Sequence, residues 1–334
     1  MFVHNKDSMG ALISNSSFFQ DRFDINVAKA KRDDTTRALV KNLGFARHRF
    51  DSVAKPLGRM VANIDALIAT ALQIAGERRG KREGIATELF LVWLDTERCL
   101  QAALMSDALD ECMAFTRFLD DEEFDTSQLS AEVAVLISKL RFLFENQTDE
   151  RGGDFQNCWH LGYTQVMMQH LRKVKTYFVR GNAYSLGVDG EIPADMKRRC
   201  VQRMQVWLAV AIQVLESEFP SWEIVQAFRI LHLNEGGRAR AAVTRDDDAA
   251  RLASICGVDA AELKAEIMDV THHAAQVYRT SSGLTTFESW RQAVRRIQTS
   301  RLRHHKKTDN LVALLARRLP QLVCTCIHEL HQCA

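Results

Sequence analysis

Pro56-Leu57-Gly58-Arg59-Met60-Val61-Ala62-Asn63-Ile64-Asp65-Ala66-Leu67-Ile68-Ala69-Thr70-Ala71-Leu72-Gln73-Ile74-Ala75 is the stretch that decides the fold. Its larger apolar residues, Leu57, Met60, Val61, Ile64, Leu67, Ile68 and Leu72, followed by Ala75, recur in the steps that lay one stripe along an α-helix. Proline suits a first helical turn, and Gly76 supplies a stop signal. The spacing predicts a single helix over residues 56–75. Such a stripe must be covered, and the chain downstream offers partners of the same kind.

Residues 76–84 are a charged loop punctuated by Gly76, Gly80 and Gly84, after which Leu89, Phe90, Trp93, Leu94, Cys99 and Leu100 begin a second amphipathic helix, antiparallel to the first. Further helices are predicted over residues 108–119 and 129–144, the latter with Val133, Leu136, Ile137, Leu140 and Leu143 on one face. Gly152, Gly153, Gly181, Gly187 and Gly190 then break the pattern, and Thr176-Tyr177-Phe178-Val179 reads as a short strand. Periodicity returns over residues 195–216 and 222–233. Asp259-Ala260-Ala261-Glu262 and Thr285-Thr286-Phe287-Glu288 are capping boxes, each of which opens a helix. A last periodic segment, residues 311–319, stops at Pro320.

A mainly α protein follows, in five parts: a loose N-terminal segment (1–48) with a short helix at 35–43, a helical bundle (49–150), an irregular junction (151–194), a second helical half (195–319) and a tail of different composition (320–334). The composition agrees. Of 334 residues 46% are hydrophobic and 26% charged, and Lys+Arg 44 against Asp+Glu 42 leaves +2, which excludes disorder and a global polycation. Four Pro and 16 Gly are too few for the turns of a many-stranded sandwich.

No stretch approaches the roughly 20 apolar residues of a membrane span. The best candidate, residues 206–215, is short and interrupted by Gln213. The first residues match no secretory or import pattern, so an intracellular location is expected, with no membrane partner and no evident small-molecule substrate. Cys99, Cys112, Cys158, Cys200 and Cys256 are scattered singly, mostly in helical apolar patterns, and read as reduced core thiols.

Three charge or ligand clusters bear on chemistry. Cys324, Cys326, His328, His331 and Cys333 are zinc-ligand types within ten residues; Cys-x-Cys is tighter than the usual ligand gap, so the alternatives are a structural metal or a degenerate terminus. Residues 107–125 are rich in carboxylates, Asp107, Asp110 and Glu111 among them, and read as a solvated acidic helix face and loop. Arg291, Arg295, Arg296, Arg301, Arg303, Lys306 and Lys307 form a basic stripe with no acid inside it. Such a stripe attracts nucleic-acid phosphate through counterion release, or else it is simply a solvated helix face. No Gly-rich phosphate loop, nucleophile elbow or metalloprotease motif occurs.

Three stretches in chain order resemble the hAT superfamily of cut-and-paste DNA transposases. Arg49-Phe50-Asp51-Ser52, ahead of a long helix, is similar to the Arg-Trp-x-Ser signature that opens the family's helical insertion domain, with Phe50 in place of Trp. The run Glu218-Phe219-Pro220-Ser221-Trp222-Glu223-Ile224-Val225-Gln226-Ala227-Phe228 resembles the return from that domain. The stretch Asp309-Asn310-Leu311-Val312-Ala313-Leu314-Leu315, followed by Cys324-Thr325-Cys326-Ile327-His328-Glu329, resembles the family's Asn-Leu-x-x-Leu-Leu and Thr-Ser-x-x-Glu elements, with Cys326 in place of Ser.

The resemblance implies remnants of an RNase H-like core interrupted by a helical insertion-domain bundle. It also implies two Asp and one Glu holding Mg²⁺ or Mn²⁺ for phosphodiester attack, Glu329 as that third carboxylate, and Arg49 as a DNA contact. In the family both Asp and a Cys-x-x-His element precede the first signature. Residues 1–48 contain no Cys and place no Asp in an apolar strand. The expectation is therefore a transposase-like fragment, inactive alone, needing no cofactor by itself, nuclear if eukaryotic, and binding DNA or associating weakly with itself. The alternative is a helical protein-interaction module with no nucleic-acid role.

Overall fold

The computed structural model describes residues 8–31, 51–119, 126–148, 154–160, 162–217, 226–233, 246–281, 283–299, 311–312 and 315. Of these residues 81% are helical. The sheets among them are two antiparallel pairs of strands, β1 (Gln147–Thr148) with β2 (Asp154–Phe155), and β3 (Lys175–Val179) with β4 (Asn182–Leu186). The chain is thus mainly helical, as its periodicity predicts. It divides into two compact units, Met1–Arg117 with Ser138–Val210, and Phe118–Ile137 with Ala211–Ala334.

The first unit begins with α1 (Met9–Asn15) and α2 (Ser17–Lys31). Over residues 8–31 these replace the expected loose segment, the rest of which, with the helix expected at 35–43, lies outside the described residues: Met9, Ile13, Phe19, Phe23 and Val27 are buried, and α2 packs on a later helix, α4. Arg22 Nε donates to Glu77 Oε2 at 3.0 Å, and Asn26 Nδ2 to Thr70 Oγ1 at 3.0 Å.

The deciding stretch forms two helices rather than one. These are α3 (Asp51–Ala62), with Pro56 in its interior, and α4 (Ile64–Glu77), bent 89° from it. Asn63 causes the break: at φ −119°, ψ 34° it leaves the helical region, and its side-chain amide donates to the Arg59 carbonyl at 2.8 Å. That bond adds a second donor to a carbonyl that already accepts from the Asn63 N–H at 3.1 Å, and Asp65 in the first turn of α4 suits the positive end of the new helix dipole. Both arms still bury the stripe, from Leu57, Met60 and Val61 to Ile64, Leu67 and Ile68. No single helix among the described residues is long and apolar enough to cross a membrane.

The second predicted helix also breaks. α5 (Arg82–Trp93) ends before Asp95, whose carboxylate accepts from the Arg98 N–H at 2.7 Å and so caps α6 (Thr96–Leu119). α7 (Thr126–Phe144) follows. The described part of the segment read as a junction belongs to the first unit, to which it supplies α8 (Gly162–Leu171) and the β3–β4 hairpin. Arg180 (φ 51°) and Gly181 (φ 83°) make the two-residue turn, the conformation that a right-twisted hairpin favours. Tyr177 on β3 donates its hydroxyl to the Leu91 carbonyl at 2.8 Å, which ties the hairpin to α5. α9 (Ala194–Ser217) then leaves the unit.

The second unit contains α10 (Asp246–Cys256), α11 (Ala260–Thr280) and α12 (Thr286–Thr299). The capping boxes predicted for α11 and α12 are in place: Asp259 Oδ1 accepts from the Glu262 N–H at 2.8 Å and Thr285 Oγ1 from the Glu288 N–H at 3.2 Å. Phe228, Leu231, Leu252, Leu263, Ile267, Val270, Trp290 and Val294 share one core. None of the five scattered cysteines is in a disulfide, and burial pushes the Cys158 thiol up to about 12 and those of Cys112 and Cys200 to about 11. Unreactive packed thiols follow.

Candidate nucleic-acid interface

α12 is built with two opposed faces. Thr286, Ser289, Trp290, Ala293 and Val294 are buried, and Arg291, Arg295 and Arg296 are exposed. At 100° per residue the buried set covers one side of the helix and the three arginines the other. Trp290 fixes the roll of the helix, because its indole N–H donates to the Leu231 carbonyl at 2.6 Å inside the core. The cations are consequently presented outward by a rigid element.

A carboxylate lies on the same side. Glu288 Oε2 is 3.2 Å from Arg291 Nη1, an exposed pair that trims the local charge but adds little stability. Arg49, Arg301, Arg303, Lys306 and Lys307, the other members of the expected interface, lie outside the described residues. So do Glu329, Trp222 and the tail ligands Cys324, Cys326, His328, His331 and Cys333.

Two arginines of α9 are held by carboxylates. On α9, Arg199 and Arg203 both reach Glu97, at 2.7 Å each, and Arg199 also reaches Asp195 at 2.6 Å. The Arg199 hydrogen bond is the main reason that the Glu97 carboxyl sits below its ordinary value. This network neutralises its own cations, which makes it a poor phosphate site.

Two titratable clusters were not visible in the sequence. The first joins α4, α8 and β3: Asp65 Oδ2 lies 3.0 Å from His170 Nδ1, and Asp65 Oδ1 accepts from Lys175 Nζ at 2.7 Å. Burial pushes the Asp65 carboxyl up, but hydrogen bonds from His170 and Lys175, with their charges, outweigh it and hold the group well below the carboxylate range. A depressed folded-state value stabilises the fold above the ordinary aspartate value of 3.8, and this contribution is lost as pH falls through the folded value. Asp65→Asn should therefore cost about 1 kcal/mol at neutral pH, after solvent screening of a partly exposed pair. It should also flatten the acid limb of a pH series of urea melts. An acid limb identical to wild type would refute the linkage.

The second cluster corrects the reading of the acidic run. Asp107 is buried rather than solvated, and its carboxylate accepts from the Tyr163 N–H at 2.8 Å, the Thr164 N–H at 2.9 Å and the Thr164 hydroxyl at 2.6 Å. It caps α8 from a distant helix. Among the described residues no three His, Cys, Asp or Glu side chains are grouped so that they could hold a metal ion.

Compared with known proteins, the chain matches no family model, no curated protein and no solved structure.

Proposed function

We propose that this is a hAT-transposase-like helical protein, inactive in strand transfer by itself, that binds duplex DNA through phosphate contacts from α12. The observation that carries the reading is the exposed set Arg291, Arg295 and Arg296, held opposite a buried Trp290 anchor at the head of the basic stripe. Phosphate contacts need no base readout, so the binding is sequence-independent and salt-sensitive. The ordered signatures from Arg49 to Glu329 and the helical character of the described chain support the family part of the reading. Two-metal cleavage needs three carboxylates, and the resemblance supplies Glu329 alone, so the reading includes no strand-transfer chemistry by this chain itself.

Fluorescence anisotropy with a short duplex across a salt series tests the proposal. The wild type should bind at micromolar protein or below in low salt, with log affinity falling linearly against log salt. In the triple variant Arg291→Ala, Arg295→Ala, Arg296→Ala the slope should shrink by about 2.7, since each neutralised phosphate contributes about 0.9. No binding by the wild type, or an unchanged slope in the variant, would reject the α12 interface.

A further inference from the structure

The charged loop between α4 and α5 is a tightly built basic turn. The Lys81 N–H donates to the Arg78 carbonyl at 3.0 Å, which closes a four-residue turn through Gly80 at φ 76°. α5 starts directly against it: a Cβ at Gly84 would collide with the Arg78 carbonyl, so glycine lets the first turn of the helix pack on the loop backbone. Arg78 is held as well, its guanidinium 4.4 Å from the centroid of the Phe18 ring, which Arg22 also approaches at 4.1 Å.

The charge on this turn is not cancelled. Glu77, the carboxylate just before it, already accepts from Arg22 Nε at 3.0 Å and from Gln73 Nε2 at 2.9 Å. Arg79 and Lys81 are exposed and form no ion pair among the described residues. Glu83, in the first turn of α5, is set against Arg78, Arg79 and Lys81. Like charges gathered in one turn repel one another in the folded chain, and an anion that binds there relieves the repulsion.

We propose that the turn from Arg78 to Lys81 is a second duplex-DNA contact, carried by the first unit, at which Arg78, Arg79 and Lys81 meet backbone phosphates. It deepens the DNA-binding reading of the chain and rests on that reading for the choice of ligand. A duplex carries one charge per about 1.7 Å of its axis, so several phosphates fall within reach of cations grouped in a turn whose ends lie within about 7 Å. Guanidinium forks match phosphate oxygens, and the lysine adds a point charge. A carboxylate-bearing peptide or an anionic bilayer adapts to cations at any spacing. The regular phosphates of a stiff duplex reward a fixed backbone, because less order remains to be imposed on binding.

Fluorescence anisotropy of the full chain with a short duplex across a salt series tests the proposal, with the double variant Arg79→Gln, Lys81→Gln. Both side chains are exposed, so the thermal transition should not move. The salt slope should shrink by about 1.8, and affinity in low salt should fall about tenfold or more. Added to the α12 triple variant, the same pair should weaken the remaining binding by a similar factor, because the two contacts share no residue. If the α12 triple variant binds like the wild type while the turn variant is weakened, the α12 interface is rejected and the turn stands as the DNA contact. An unchanged slope in the turn variant beside a weakened α12 variant overturns the proposal and leaves α12 standing. No binding by the wild type ends both. The proposal is also overturned if the turn variant keeps its affinity for the duplex but loses binding to phosphatidylserine vesicles or to a poly-glutamate peptide.

Discussion

Trp290→Ala is expected to destabilise the second unit by about 3–5 kcal/mol, the range for truncating a large aromatic in a packed core. The side chain is fully buried and sits with Phe228, Leu231, Leu263 and Ile267 in the core of that unit. Removing it opens a cavity and leaves the Leu231 carbonyl without the indole donor at 2.6 Å. Trp290→Phe separates the two effects, since it keeps most of the ring volume and loses the N–H, at about 1–3 kcal/mol. Hydrogen exchange reads the result by element: amides of Ala260–Thr280 and Thr286–Thr299 should lose protection while those of Ile64–Glu77 and Thr96–Leu119 keep theirs. Unchanged protection of Ala260–Thr280 in the alanine variant would refute the anchoring role. Because the same helix presents Arg291, Arg295 and Arg296, the alanine variant should also bind DNA more weakly while retaining every cation.

How far the fold can be read from the sequence depends on whether its cause is local. Helices announce themselves through 3.6-residue periodicity and capping boxes, and both predicted caps, Asp259 and Thr285, make their hydrogen bonds. The strand at Thr176–Val179 is equally local: period two buries Tyr177 and Val179 and exposes Phe178. Breaks are harder to read. Nothing in a continuous apolar stripe says that Asn63 will turn its amide onto Arg59, and Asp95 is a cap only because the chain bends there.

The face that α5 buries was not legible for a different reason. Apolar residues lie nearly all round that helix, Ile85, Ala86, Leu89, Phe90, Leu91, Val92 and Trp93, so spacing cannot choose between them. The choice is made by packing against α4 and by Tyr177 reaching Leu91 and Leu94 from more than 80 positions away. Distant partners also explain the candidate sites. Asp65 meets His170 and Lys175 only once α4, α8 and β3 are assembled. The arginine face of α12 could be read from sequence because a charged arc opposite an apolar one is a property of a single helix.

Asp107→Ala should cost the first unit about 2–5 kcal/mol, because three donors at the start of α8 lose their acceptor together and each buried unsatisfied group costs about 1–3 kcal/mol. Gly162 is part of the same device. Its φ of +45° lies in the left-handed region, and a Cβ there would stand 2.3 Å from Asp107 Oδ1, so Gly162→Ala combines backbone strain with a clash against the cap. Removing the carboxylate removes the clash, and the double variant should therefore lose less stability than the two single costs added, with a coupling of about 1–2 kcal/mol in a double-mutant cycle. Strict additivity would mean that the Asp107 carboxylate and Gly162 do not meet. Charge adds a second signature. Burial pushes the Asp107 carboxyl up, Thr164 and Tyr163 pull it down, and the net shift is upward. A raised carboxyl favours the protonated fold, so its contribution is greatest below the ordinary value of 3.8 and is lost as pH rises through the folded value. Asp107→Asn keeps an acceptor and abolishes the titration, so urea melts from acid to neutral pH should show the wild type losing ground against this variant as pH rises. The sign is opposite to that at Asp65, where the loss comes on acidification.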